Sequence, residues 1–422
     1  MAAEVGEKRG RRLERAAAAM FVAALTALML VSIADKPFPF RGADEQGHFS
    51  YVAHLSRSDR LWPDLGAMPL YDLDGAPTGR ANFINHPPLF YWTALPLHDA
   101  LAARHADFGW LRVYPAALAV AAFAAIAAFG LRMRIGVAGF AVLFAGAAFL
   151  DFPALAGAFS NDQMAMLGGA LACLGAARRV SSRADRAGLA LLLVGLALCS
   201  VKLTALMLAG GFAVLCLLLA PGRKPDLTGL AALAAAGLAL AVPYLILWRS
   251  YGSPAPSTAG QTQMLKDYIA EFGWDRLPRV SLSAYLADAP SLFAVQLGRS
   301  FVHLALLMAM CATAIVAFLP REREARPVAS TLVRAATLAT VATLSVHLAF
   351  AYQRYAEYGW LGDLYPRYYF PLLAVYGLSW TLAARRSAGR LAPAATPMAA
   401  PEPDAINRLA TRPPEKRTRS WS

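Results

Sequence analysis

Two adjacent carboxylates, Asp44 and Glu45, stand in the stretch GADEQGHFSYVAH (Gly42 to His54), with His48 one helical turn further on. The stretch directly follows the first long apolar run of the chain. Charged groups beside a bilayer are expensive unless they are solvated, paired or used. A carboxylate there can act as a general base or, with a histidine such as His48, hold a divalent metal such as Mg²⁺ or Mn²⁺. The plainer reading is a solvated loop in which Asp44 caps a helix running through Tyr51 and Leu55. Other polar residues stand in comparable places: Asn85 and His86 ahead of Pro87-Pro88, then Asn161, Asp162, Lys202 and Arg367. Acids and bases gathered on one face from distant parts of the chain suit a reaction in which a phosphate leaves. Carboxylates activate the attacking group, while Lys and Arg neutralise the phosphate oxygens.

Each of these residues also has a structural explanation. Lys202 and Arg367 suit snorkelling to lipid headgroups from a helix end. Asp162 suits an N-cap beside Asn161 and Ser160. His48, His54 and His86 suit satisfied structural positions. The sequence has no GxGxxG or Walker loop, no paired CxxC and no GxSxG, so no nucleotide cofactor is expected.

The elements that must position these residues follow from composition. Of 422 residues, 58% are hydrophobic and only 16% charged, against roughly 25% charged in a soluble protein. This composition marks an all-α polytopic membrane protein. The net charge of +13 invites a nucleic-acid partner, but the basic residues cluster between apolar runs and at the two ends. That is the positive-inside pattern, and no nucleic acid is expected. The four cysteines, Cys173, Cys199, Cys216 and Cys311, lie in or at the ends of apolar runs and read as small buried hydrophobes.

The apolar runs predict about ten transmembrane helices, near 16–34, 110–131, 135–152, 163–177, 187–200, 203–220, 228–248, 300–319, 328–352 and 367–383. Arg9, Arg11, Arg12 and Arg15 place the N-terminus in the cytoplasm, and Arg385 and Arg386 place the C-terminus there too. The first run lacks a small-residue cleavage site and reads as a retained helix. Two long outer loops result, about 35–108 and 249–298. The first should carry short surface helices, one near 45–57 and one opening at Pro87-Pro88, since proline is tolerated in a first turn. In the second, SPAPSTAGQTQ reads as flexible and MLKDYIAEFGW as helical. Residues 1–386 thus form one polytopic domain, and 387–422, rich in Ala, Pro and Arg, a disordered cytoplasmic tail.

Five segments, in their order, resemble the polytopic glycosyltransferases of the GT-C fold, a superfamily that includes protein-mannosyltransferase-like enzymes. They are DEQGHFSYVAHL after span one, NHPPLFYWTALPL closing the first loop, FSNDQMAMLGGALACLGAARR, KLTALMLAGGFAVL and YPRYYFPLLAVYGL. They are scattered over most of residues 40–380. The resemblance implies transfer of a sugar from a polyprenyl-phosphate-linked donor to an outer-face glycan, lipid or protein acceptor, in a bacterial inner (plasma) membrane. It implies Asp44 as the catalytic carboxylate, base or metal ligand, Glu45 as its assistant, and Asp162 as a second acid facing the same cavity. His86, Lys202 and Arg367 would contact the lipid-linked phosphate. The chain departs from the pattern at His86, where some relatives have lysine, and at Pro366, where glycine is usual. The rivals are a transporter or flippase, favoured by mid-span charges that are scarce here, and an assembly protein whose acidic loop binds a partner.

Overall fold

The computed structural model describes residues 2–40, 44–149, 152–220, 224–271, 273, 280–287, 301–318, 327–360 and 366–391. Gly42, the end residues 300 and 319 of the expected eighth span, and the tail beyond 391 lie outside the described residues. The chain divides into two units, Met1–Thr381 and Leu382–Ser422.

The described chain is helical apart from one small hairpin. Helix α1 (Ala2–Asp35) leads to α2 (Glu45–Ser56), strands β1 (Pro69–Tyr71) and β2 (Pro77–Ala81), and α3 (Leu89–Ala103). Then follow α4 (Val113–Met133), α5 (Gly136–Phe149), α6 (Phe152–Ala156), α7 (Asp162–Ser181), α8 (Arg186–Cys199), α9 (Leu203–Leu218) and α10 (Leu227–Tyr251). After α11 (Ala259–Glu271) come α12 (Phe301–Phe318), α13 (Pro327–Tyr358), a 3-10 segment (Pro366–Leu372) and α14 (Leu373–Leu391). Residues 387–391, expected in the tail, belong to this last helix.

Among the described residues four helical stretches are long and apolar enough to cross a membrane: Gly6–Asp35, Phe108–Met133, Leu227–Tyr251 and Pro327–Tyr358. They are the helices of a membrane protein. The helices at Gly136–Ala148, Arg186–Cys199 and Leu203–Leu218 are apolar but shorter, so helix length does not carry the count to ten.

Packing follows small-residue logic. On α4, Ala119, Ala122, Phe123, Ile126 and Phe129 recur at helical spacing and are all buried. Helices α7 and α8 meet at glycines: a Cβ on Gly168 would lie 2.5 Å from the Gly195 carbonyl oxygen, and one on Gly195 would lie 2.5 Å from that of Gly168. Backbones in such contact leave room for no side chain between them. The end of α7 is fixed to the start of α10 by the buried pair Arg179–Asp226, with Nε to Oδ2 at 2.7 Å. Asp226 also caps α10, accepting from the Gly229 N–H.

The first loop differs from its expectation in two respects. Helix α2 lies where a surface helix was expected, but nine of its twelve residues are buried. The hairpin was not foreseen. The Ser50 hydroxyl ties it down, accepting from the Tyr71 N–H at 2.8 Å. In the second loop, helix α11 begins inside the stretch expected to be flexible. Thr258 Oγ accepts from the Gln261 N–H at 3.1 Å, the first half of a T-x-x-Q capping box.

Candidate functional site

Asp44 occupies the N-cap position of α2 with φ 59° and ψ 23°, a left-handed conformation that Asp tolerates better than most residues. Its side chain makes no hydrogen bond to its own helix. The cap reading is therefore replaced: the Asp44 carboxylate accepts from Arg367 Nη2 at 2.9 Å. Arg367 comes from the 3-10 segment ahead of α14, and its Nε lies 3.9 Å from Asp162 Oδ2. Asp162, the first residue of α7, pairs through Oδ1 with Lys202 Nζ. Its other oxygen accepts from Ser160 Oγ at 3.3 Å.

Lys202 precedes α9 with an extended backbone (φ −139°, ψ 128°) and is buried. The Tyr368 ring lies beside both cations, its centroid 5.3 Å from Lys202 Nζ and 5.8 Å from Arg367 Cζ, within cation–π range. Asp44, Asp162, Lys202 and Arg367 thus form one cluster of two acids and two cations. The helix N-termini beside it, those of α7 and α9, add positive partial charge that favours an anion. Exposure is graded: the Asp44 side chain is 34% exposed, against 12% for Asp162 and 13% for Arg367.

Glu45 stands apart from this cluster. It is fully buried and accepts from Arg112 Nε at 2.9 Å and Arg112 Nη2 at 2.6 Å. The Phe159 and Phe40 N–H groups also donate to it, each at 2.5 Å. Arg112 in turn donates to the carbonyls of Ile33, Lys36 and Pro37. This is a clamp joining the end of α1, the start of α2, the approach to α4 and the approach to α7. Both oxygens of Glu45 are occupied, which is the geometry of a positioning residue.

His48 is buried and His86 partly buried, and their rings stack. His48 Nδ1 is 2.8 Å from the Tyr91 hydroxyl. Its ring lies parallel to that of His86, with centroids 6.3 Å apart. Tyr91 and Tyr51 stack at 3.7 Å, and the Tyr51 hydroxyl donates to the His86 carbonyl at 3.0 Å. Burial first, then the positive charge of Lys202, pushes the His86 imidazole down to about 3. Burial, with His86 and Lys202 behind it, holds His48 well below its ordinary range. Both rings are neutral at physiological pH.

Asp44 also lines a cavity of about 490 Å³ between the hairpin and α11. The residue thus has the cation cluster on one side and an open volume on the other. The fit of a divalent metal to Asp44 and His48 is poor. Asp44 is engaged by Arg367 and His48 Nδ1 faces Tyr91, and among the described residues no three His, Cys, Asp or Glu side chains converge.

No protein-family profile, curated protein or solved structure matches the chain.

The residues singled out from the sequence separate into three groups. Asp44, Asp162, Lys202 and Arg367 come together directly, with His86 and His48 beneath them and Glu45 in a separate clamp. Asn85, noted only as a loop neighbour, donates to the Pro256 carbonyl at 2.7 Å and joins the two loops. Sequence reasoning missed Arg112, Tyr91 and Tyr368. Arg112 had a usable signal: an arginine at the end of an apolar run on the side that the positive-inside pattern leaves poor in basic charge.

Proposed function

We propose that the protein is an integral membrane glycosyltransferase of GT-C type, moving a sugar from a polyprenyl-phosphate-linked donor to an acceptor. In this reading the chain spans the membrane about ten times with both termini cytoplasmic, in a bacterial inner membrane, and the cluster faces outward. The observation that carries the reading is the contact of Arg367 with both Asp44 and Asp162, where four distant segments bring acids and cations to one place. A base and a phosphate-binding pair in contact are what transfer from a lipid phosphate needs.

The geometry supports the following roles in this reading. Asp44, the most exposed acid, accepts the proton from the acceptor hydroxyl or amine as that atom bonds to the sugar's anomeric carbon. The bond from that carbon to the phosphate oxygen breaks, and its electron pair leaves with the phosphate. Lys202 and Arg367 carry the charge of the departing phosphate. His86 offers a neutral hydrogen bond. Asp162 holds the two cations in place, and Glu45 fixes the backbone that presents Asp44.

The test is Asp44→Asn assayed with a radiolabelled polyprenyl-phosphate sugar in proteoliposomes. Transfer should vanish while expression and membrane insertion stay normal. Transfer at the unaltered rate would overturn the assignment of Asp44 as base.

A further inference from the structure

The cavity beside Asp44 runs between the end of the hairpin and helix α11, and its chemistry is narrower than the transferase reading requires. Gln263, Asp267 and Tyr268 line it from α11, Arg80 and Phe83 from the hairpin and the turn after it, and Asp44 at its end. We propose that this cavity seats the acceptor as an uncharged, hydroxyl-rich sugar, selected by the side chains of α11. The proposal rests on the transferase reading for its word "acceptor" and on the cavity for its chemistry.

Charge is the first argument. Arg80 Nη2 is 3.1 Å from Asp267 Oδ2, Arg367 holds Asp44 at 2.9 Å, and Arg112 holds Glu45 at 2.6 Å. Each of these three cations already serves an acid. Glu271, also on the wall, has no ion-pair partner among the described residues. An anionic ligand therefore meets one net negative charge and must break a pair to be received. A neutral ligand meets no such cost.

The second argument is the kind of contact on offer. Gln263 Nε2 donates to Asp267 Oδ1 at 2.7 Å, one turn along α11, which fixes both side chains ahead of binding. Amides and carboxylates of this kind bond neighbouring hydroxyls, and the Phe83 and Tyr268 rings on the wall add apolar surface for C–H groups. The volume, about 490 Å³, falls in the roughly 300–1,000 Å³ range of small-ligand sites.

A peptide acceptor laid along the hairpin is the competing occupant, and the fold blocks it where the chain leaves β2. Thr258 Oγ donates to the Asn82 carbonyl at 3.0 Å, and Gly260 packs against the Ala81 carbonyl. The chain leaving β2 is already covered at Ala81 and Asn82 by the approach to α11, so strand addition cannot continue past β2.

The test uses the full chain in lipid nanodiscs and two photoreactive probes: a diazirine-bearing lactoside, and the same disaccharide with its terminal sugar replaced by glucuronate. The lactoside should crosslink to peptides containing residues 77–83 and 259–271, and the glucuronate probe about tenfold less. Tyr268→Ala and Gln263→Leu should each lower lactoside labelling about tenfold, the equivalent of about 1.4 kcal/mol. Tyr268→Phe keeps the ring and should keep the labelling, which separates recognition from misfolding. Absence of lactoside labelling in these segments, or equal labelling by both probes, overturns the proposal. The transfer assay separates the two readings. If the unaltered chain is labelled but transfers no sugar from the polyprenyl-phosphate donor, the transferase reading falls and the sugar site stands. If labelling fails in the unaltered chain while Asp44→Asn abolishes transfer, the sugar site falls and the transferase stands.

Discussion

Arg367 Nη2 lies 2.9 Å from Asp44 Oδ2 although 323 positions of sequence separate them. In the proposed reaction the group that receives the acceptor's proton is held by the group that receives the donor's phosphate. A phosphate drawing Arg367 toward itself leaves the Asp44 oxygen open to the acceptor, so the donor should bind first. Arg367→Lys keeps the charge but loses the planar fork that reaches two acids. Transfer from a radiolabelled polyprenyl-phosphate sugar should fall about 10²-fold, the cost of misplacing one group by about 1 Å. Unaltered transfer would mean that Arg367 only snorkels.

Asp44 and Asp162 should respond differently to the same change. Asp44→Asn removes a base worth about 10²–10⁴ in rate at a site one-third exposed to solvent, so the thermal midpoint in detergent should hardly move. Asp162→Asn leaves the buried Lys202 without its carboxylate. A buried charge stripped of its partner costs about 3–5 kcal/mol, so this variant should lose stability along with activity. Equal midpoints for the two variants would contradict the assigned roles.

Glu45 and Arg112 give a prediction about folding. Glu45→Ala and Arg112→Ala should each destabilise the protein by about 3–5 kcal/mol, read as a lowered midpoint and poor recovery from membranes. The double replacement Glu45→Leu with Arg112→Met should recover part of that loss, because an apolar pair leaves no uncompensated charge behind.

The buried histidines set a pH dependence. His86 titrates at about 3 in the folded chain and near 6.5 when unfolded. Between those values the unfolded chain binds the extra proton, so stability is full above about pH 6.5 and falls as pH drops toward 3. His48 shifts in the same direction and adds to the slope. His86→Gln should flatten the curve of thermal midpoint against pH between about 6.5 and 4. An unchanged curve would remove His86 from the account.

Packing at a distance should also reach the site. Gly169 on α7 faces the backbone of Pro371, in the 3-10 segment that carries Arg367. Gly169→Ala puts a methyl group where that backbone lies and should shift Arg367. We expect activity to drop about 10²-fold with donor affinity reduced. Gly237→Ala on α10, where nothing lies within 4 Å of the added group, should be silent.

The sequence made the charged residues of the cluster legible because each stands at the end of an apolar run, where a charge costs enough to need a reason. The positions of α2 and α3 were legible from the turn chemistry around Asp44 and Pro87-Pro88. What the sequence could not supply was the partner of each side chain. Glu45 reads like Asp44 in the chain, and only the arrival of Arg112 from 67 positions away turns it into a clamp. Tyr368 looks like one more aromatic in YPRYYFPLL until Lys202 and Arg367 are placed beside its ring. The start of helix α11, inside the stretch read as flexible, was missed because the Gly and Ser around Thr258 outweighed its capping box. The number of spans was not decided either, since helices of 14 and 16 residues such as α8 and α9 fall short of a bilayer by length.

The long separation of Asp44 from Arg367 has a consequence for how the protein is made. During synthesis the acid leaves the ribosome early, in the first polar stretch, and its cation only after more than three hundred further residues. Lys202 and Asp162 can find each other midway, but a nascent chain stopped anywhere before Pro366 holds an acid without its arginine. In the proposed reaction, activity would thus wait for one late event, the docking of one short segment against α7 and α9.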